Sequence, residues 1–189
     1  MAENNRYNIN SLLPNLITSF RGMCGIAILV IVIVFNDDFW AFWLFIAAIL
    51  TDLIDGWVAR KLNGTSELGM FLDPVADKLL IGFGWLTLLL SGWAPWWLAG
   101  TMIARDVAIG VIWIFARSRG WTWTSNRLGQ LTVCFEGVAV PILLYRQPLL
   151  DVHWPSVGLC VEIISLGFAI ASVFQYIMDG PKRASRSLM

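Results

Sequence analysis

Charge is scarce in this chain. Of its 189 residues only 14% are Asp, Glu, Lys or Arg, against 58% hydrophobic, and the mean hydropathy is +0.70. A soluble domain carries about 25% charged residues, so a soluble helix bundle is excluded: it would need shorter apolar runs and more charged faces. There is a single histidine, and the three cysteines, Cys24, Cys134 and Cys160, fall separately inside apolar runs with no CxxC pair. A zinc or disulfide framework is thereby excluded, and the cysteines read as core filler. Lys and Arg together number 13, as do Asp and Glu, and no nucleic-acid partner is expected. The first dozen residues, MAENNRYNINSL, are polar, and no small-residue cleavage pattern follows the first apolar run, so no cleavable leader is expected.

What the chain has instead is apolar length. Six runs, at about 16–35, 40–60, 73–92, 96–117, 129–146 and 157–178, each approach the roughly 20 residues that a helix needs to cross about 30 Å of hydrocarbon. Turn and charge signals separate them: Asn36-Asp37-Asp38, NGTSELG from Asn63, Gly92 with Pro95, Arg117 to Arg127, and Gln147-Pro148. The expected fold is therefore all-α: a polytopic membrane protein of six transmembrane helices, forming one domain over residues 1–189. Residues 1–15 are expected as a short interfacial amphipathic helix and 180–189 as a cytoplasmic tail. Arg6, Arg60, Lys61, Arg117, Arg119, Arg127, Lys182, Arg183 and Arg186 fall on one side of this arrangement and Arg146 near the other. Positive charge marks the cytoplasmic side, so both termini are expected there. Trp40, Trp43, Trp93, Trp96, Trp97, Trp121, Trp123 and Trp154 lie close to the expected helix ends, as an aromatic belt requires.

Four aspartates break the apolar pattern: Asp52 and Asp55, three apart on the second helix, and Asp73 and Asp77, four apart on the third. Each spacing puts its pair on one helix face, and the polar turn from Lys61 to Phe71 can return the third helix beside the second. Four carboxylates left bare at the cytoplasmic ends would repel one another and take up protons. Oxygen-only ligands suit Mg2+ or Mn2+, and a compact set of four suits two ions bridged by shared carboxylates. Gly56 and Ala59 leave the helix backbone open to a flat ligand, though small residues also serve helix packing. Arg60, one turn beyond Asp55, is placed to meet a phosphate or to anchor at the interface. Gly69 fits a turn, and Pro74 a first helical turn.

In order, Asp52, two residues, Asp55-Gly56, two residues, Ala59-Arg60, eight residues, Gly69, three residues, Asp73, three residues, Asp77 resembles the signature of the CDP-alcohol phosphatidyltransferases at all eight of its positions. The resemblance covers most of the chain through the six-helix pattern, with the motif itself in about 26 residues. It implies that an acceptor hydroxyl attacks the β-phosphorus of a CDP-linked lipid and that CMP leaves. It also implies that Asp52, Asp55 and Asp73 hold metal and that Asp77 both touches metal and acts as general base. Gly56, Ala59 and Gly69 would then make room for the cytidine, and Arg60 would meet its phosphates.

Outside the motif, PNLITSFRG from Pro14 resembles the opening of phosphatidylglycerophosphate synthases and of eukaryotic-type cardiolipin synthases, with Thr18 and Arg21 toward the site. Arg105-Asp106 is a charged pair inside an apolar run, either functional or a neutralised packing pair. Glycerophosphate-using relatives usually carry Glu after that arginine and cardiolipin synthases Asp. The former also carry Gly-Lys-x-Lys-Thr where this chain reads Gly129-Gln130-Leu131-Thr132-Val133, so two phosphate-binding lysines are missing, with Arg119 and Arg127 as possible substitutes. Glu136 stands where relatives often have Gln. Thr18, Arg21, Arg105, Asp106, Arg119, Arg127 and Gln130 are the candidate acceptor residues.

The expected function is transfer of a phosphatidyl group from CDP-diacylglycerol to glycerol 3-phosphate or phosphatidylglycerol, in a bacterial inner membrane with the site facing the cytoplasm. Membrane lipids are the surroundings, and a helix-packed homodimer is the expected assembly. The same chemistry on inositol phosphate or serine is the nearest alternative. A small cation transporter would also carry intramembrane aspartates but leaves the Gly, Ala and Arg spacing unexplained.

Overall fold

The computed structural model describes the backbone of residues 9–62, 67–119, 121–122, 127–147, 152–179 and 182–183, and the side chains of residues 20–51, 78–112, 114–115, 119, 127–147 and 152–178. Six helices follow one another: α1 (Ile9–Phe35), α2 (Asp38–Leu62), α3 (Glu67–Leu90), α4 (Trp96–Ser118), α5 (Arg127–Leu144) and α6 (Trp154–Asp179). Each coincides with one of the six apolar runs. Two dipeptides add a small antiparallel pairing, β1 (Trp121–Thr122) with β2 (Lys182–Arg183), which joins the α4–α5 connection to the C-terminal tail. The segment expected along the interface differs from its expectation, because α1 runs unbroken from Ile9 and residues 9–15 are its first two turns.

By length and composition, two helices are long and apolar enough to cross a membrane among the described residues, over Arg127–Leu144 and Trp154–Met178. The described parts of α1, α2 and α3 supply shorter apolar stretches, Phe20–Phe35, Asp38–Thr51 and Lys78–Leu90. Large apolar side chains cover the outside, among them Val34, Leu90, Ile170, Phe174 and Ile177, a surface suited to lipid rather than water.

Helix ends at one side are tightly stopped. Asn36 takes a left-handed conformation (φ 54°) and its N–H bonds to the Val32 carbonyl at 3.1 Å, an αL cap for α1. Asp37 then accepts the Trp40 N–H at 3.1 Å and caps α2. Gly92 (φ 70°) closes α3 with a Schellman pair, Trp93 N–H to Leu88 O at 2.9 Å and Gly92 N–H to Leu89 O at 3.2 Å. Pro95 follows, just ahead of α4. At the same end Asp38 accepts the Arg146 N–H at 3.2 Å and the Gln147 amide at 3.1 Å, and the Arg146 guanidinium lies 4.9 Å from the Trp93 ring centroid. Trp40, Trp43, Trp96 and Trp97 are exposed around these caps, as interfacial anchors are.

Inside, α5 packs on α6, α1 lies against α2 and α3, and α3 and α5 bring the two groups together. Ile28, Phe45, Trp85, Leu88, Met102, Val140 and Leu143 form one buried cluster. Backbones come close where side chains vanish. A Cβ on Gly84 would stand 2.7 Å from Val140 Cγ1 and 3.0 Å from Phe45 Cε2; one on Gly158 would stand 2.8 Å from Leu143 Cγ. No driving force separates lipid tails from leucines, so such close packing supplies much of the association energy. Gly84→Ala and Gly158→Ala are accordingly expected to cost about 1–3 kcal/mol through overpacking. Gly100→Ala, whose Cβ would meet nothing within 4 Å, is expected to be neutral. Thermal unfolding midpoints in detergent measure the contrast, and equal midpoints for all three would contradict it.

Candidate active site

The backbone carries the four aspartates on two helices: Asp52 and Asp55 near the C-terminal end of α2, Asp73 and Asp77 near the N-terminal end of α3. The two helix ends are joined by residues 63–66, so both pairs belong to the end of the bundle opposite the Asp38–Arg146 ties. Both helices also pack on α1 and α5. The side chains of these aspartates, and of Thr18, Gly56, Ala59, Arg60 and Gly69, lie outside the described residues. Among the described residues no group of three or more His, Cys, Asp or Glu is placed to hold a metal ion.

A buried polar centre lies between α3, α4, α5 and α6. Arg105 on α4 donates from Nη1 to Asp106 Oδ1 at 2.8 Å, and the same nitrogen lies 3.6 Å from Glu136 Oε1 on α5. The side chains of Arg105 and Asp106 are 8% and 12% exposed, and that of Glu136 is fully buried. The charges of Asp106, Arg105 and Glu136 act on Lys78 of α3, and those of Asp106 and Arg105 act on Glu162 of α6. Four helices therefore bring five ionisable groups together, two cationic and three acidic. Neutral polar groups surround them. Ser165 Oγ donates to the Thr132 carbonyl at 3.2 Å across the α5–α6 contact. A Cβ on Gly129 would meet Ser172 Oγ at 3.1 Å, Arg105 Nη2 at 3.9 Å and the Tyr176 hydroxyl at 4.0 Å.

The candidate acceptor residues divide in space. Arg105 and Asp106 are paired at the centre, and Arg21 is buried on α1. Arg127 and Gln130 are exposed on the first turn of α5, and Arg119 stands over the Phe115 ring, 4.7 Å from its centroid. Thr132, at the second missing lysine position, is buried and its hydroxyl donates to Leu128 O at 2.9 Å. Glu162 was absent from the sequence-based candidates although it is a charged residue inside a strongly apolar helix. Its signal is the stripe Glu162, Ser165, Ala169, Ser172, Tyr176, spaced three and four apart on one face of α6. Beside the centre, between α4 and α6, a groove of about 290 Å³ is lined by Arg105 and by apolar side chains including Met102, Leu166, Ala169 and Phe174.

A buried ion pair broken from one side leaves an uncompensated charge, which costs about 3–5 kcal/mol. Arg105→Met is therefore expected to lower thermal stability by that amount by stranding Asp106 and Glu136, and the double variant Arg105→Met, Asp106→Leu to recover part of it. Unfolding in detergent reads both, and an additive double loss would refute the pairing.

Comparison with known proteins places these features. A sequence profile described as CDP-alcohol phosphatidyltransferase matches residues 11–175. The chain is 34% identical over 134 residues to the CDP-diacylglycerol--glycerol-3-phosphate 3-phosphatidyltransferase of Bacillus subtilis, spanning 70% of this chain and 69% of that protein. It is 31% identical over 175 residues to the Escherichia coli K12 protein of the same name, spanning 87% and 92%.

Proposed function

We propose, for a chain that belongs to the CDP-alcohol phosphatidyltransferase family, that it transfers the phosphatidyl group of CDP-diacylglycerol to a primary hydroxyl of a glycerol-type acceptor, releasing CMP. The observation that carries this reading is the profile match across residues 11–175, within which all eight signature positions from Asp52 to Asp77 are filled. Glycerol 3-phosphate, the acceptor in the relatives' printed names, is the first choice, with phosphatidylglycerophosphate as product. Phosphatidylglycerol, giving cardiolipin, is the second. It is favoured by one observation: Gln130 and Thr132 stand where the lysines would be, and Thr132 is buried and engaged with its own helix. Two lost cations weaken a pocket for a dianionic phosphate more than one for a monoanionic phosphodiester.

Asp52, Asp55, Asp73 and Asp77 hold two divalent ions, Mg2+ or Mn2+. When bound, these supply charge neutralisation at the pyrophosphate and on the departing CMP. The chain's own groups do the rest. Gly56, Ala59 and Gly69 leave space for the cytidine ring beside the helix backbones, and Arg60 meets the phosphates. The acceptor oxygen forms its bond to the β-phosphorus as the bond from that phosphorus to the CMP oxygen breaks, and Asp77 takes the acceptor proton. Six membrane-spanning helices in one domain over residues 1–189, a site facing the cytoplasm of a bacterial inner membrane, and a homodimer complete the proposal. The orientation rests on the distribution of Lys and Arg, with Arg146 alone among the capped ends.

The deciding assay offers purified protein with CDP-diacylglycerol and Mg2+ four acceptors in parallel: glycerol 3-phosphate, phosphatidylglycerol, inositol phosphate and serine. CMP release with a glycerol acceptor is expected, and release only with serine or inositol phosphate would refute the reading. Chelation by EDTA is expected to abolish turnover, and Mg2+ or Mn2+ to restore it. Asp77→Asn is expected to lose at least about 1000-fold in kcat, the scale of a general base plus a ligand, while still binding CDP-diacylglycerol. Asp52→Ala is expected to abolish Mg2+-dependent CDP binding in titration calorimetry, and an unchanged isotherm would remove Asp52 as a ligand.

A further inference from the structure

Glu136 and Glu162 are both fully buried, and neither carboxylate has a hydrogen-bond partner for either oxygen. They sit on the packed pair α5 and α6, within electrostatic reach of each other and of Arg105 and Asp106. Arg105 does not satisfy them. Its Nη1 is given to Asp106, it stands 3.6 Å from Glu136 without a hydrogen bond, and its Nε is itself without a partner. A buried carboxylate left without donors costs several kcal/mol, and an ionised one is an acceptor only. Four oxygens here call for hydroxyl or amine hydrogens from something that enters.

The unpartnered acceptor atoms say which end of a molecule enters. Arg105 Nη1 is given to Asp106, and both oxygens of Glu136 and of Glu162 are left without a donor. Carboxyl oxygens offer a phosphate no hydrogens, whereas they receive those of hydroxyls. Lys78, whose charge acts on this centre, follows Asp77 in sequence, so α3 carries both the proposed base and a member of the centre. Arg105 also lines the apolar groove between α4 and α6, which leaves a route for an acceptor that carries acyl chains.

We propose that Glu136 and Glu162 are acceptor-specificity residues that receive the hydrogen bonds of a vicinal diol. They hold the non-reacting secondary hydroxyl while the neighbouring primary hydroxyl is presented to Asp77. The ligand class is a terminal glycerol unit, HO–CH2–CH(OH)–, shared by glycerol 3-phosphate and phosphatidylglycerol. The proposal rests on the transferase reading and adds to it the group that selects the acceptor. A site built to bond a hydroxyl discriminates strongly against the analogue that lacks it, because its own buried polar atoms are then left unpaired.

The test compares each acceptor with its deoxy analogue: glycerol 3-phosphate with 3-hydroxypropyl phosphate, and phosphatidylglycerol with phosphatidyl-1,3-propanediol. The wild-type protein is expected to prefer the diol by at least about 100-fold in kcat/KM. In Glu162→Gln and Glu136→Gln, which keep side-chain shape, that preference is expected to fall to about tenfold or less, with KM for CDP-diacylglycerol changed by no more than about twofold. Whichever diol is used identifies its source. Equal use of diol and deoxy acceptor by the wild type would overturn the pair's role and leave the transferase reading intact. So would Gln variants that lose turnover or stability while keeping the preference, since that is what a merely structural pair does. CMP release with serine alone would overturn both.

Discussion

A charge inside hydrocarbon must be matched within hydrogen-bond reach, and the middle of this molecule is arranged around that requirement. Arg105 cannot shed its proton, so α4 is bound to bring it against carboxylates. Asp106 comes from its own helix and Glu136 from α5, and Glu162 of α6 is within electrostatic reach of Arg105. Lys78 joins from α3. The relative placement of α4 and α5 is thus tied to one guanidinium. Removing any partner changes the solvation of all the others.

The surrounding packing leaves that centre little freedom to relax. Gly84 and Gly158 let side chains of α2 and α5 press against the backbone of α3, and side chains of α5 against that of α6. Close-packed interiors of this kind respond to inserted volume by strain rather than by flow. At the outer end, caps at Asn36, Asp37 and Gly92 and the tie from Asp38 to Arg146 and Gln147 hold the turns with short polar contacts. The capped end is therefore a fastening. The opposite end is where the backbones of α2 and α3 carry the four aspartates.

This layout separates two recognition tasks. The proposed donor half lies in one contiguous stretch, Asp52 to Asp77, where the spacing of small residues and carboxylates is local to two helix ends. The proposed acceptor half draws on α3, α4, α5 and α6, with residues more than 80 positions apart. A donor site of the first kind leaves a motif. A pocket of the second kind leaves single charged or polar residues scattered through apolar helices, each ambiguous alone. Arg105-Asp106 shows the ambiguity: a packing pair and a functional pair predict the same two residues, and the contact with Glu136 is visible only once α5 is beside α4.

Length, hydropathy and the turn residues between runs were enough to place six helices, because a helix satisfies its own backbone, although α1 and α3 begin earlier than expected, at Ile9 and Glu67, and the turn expected from Lys61 to Phe71 is largely helical. The aspartate spacing was likewise readable in one dimension, and it identified the family. Three things were not. The first two turns of α1 were expected apart from it, since amphipathic composition does not say whether a helix is continuous. Arg119, Arg127 and Gln130 looked equivalent to Arg105 as polar candidates, yet the described side chains put them at the exposed rim and Arg105 in the middle. Glu162 was one acidic letter in the most apolar helix, and its weight came only from standing unpaired against Glu136 and Arg105. Local spacing determines helices and motifs; which charges share a low-dielectric space depends on how the helices cross, and that was decided by tertiary packing alone.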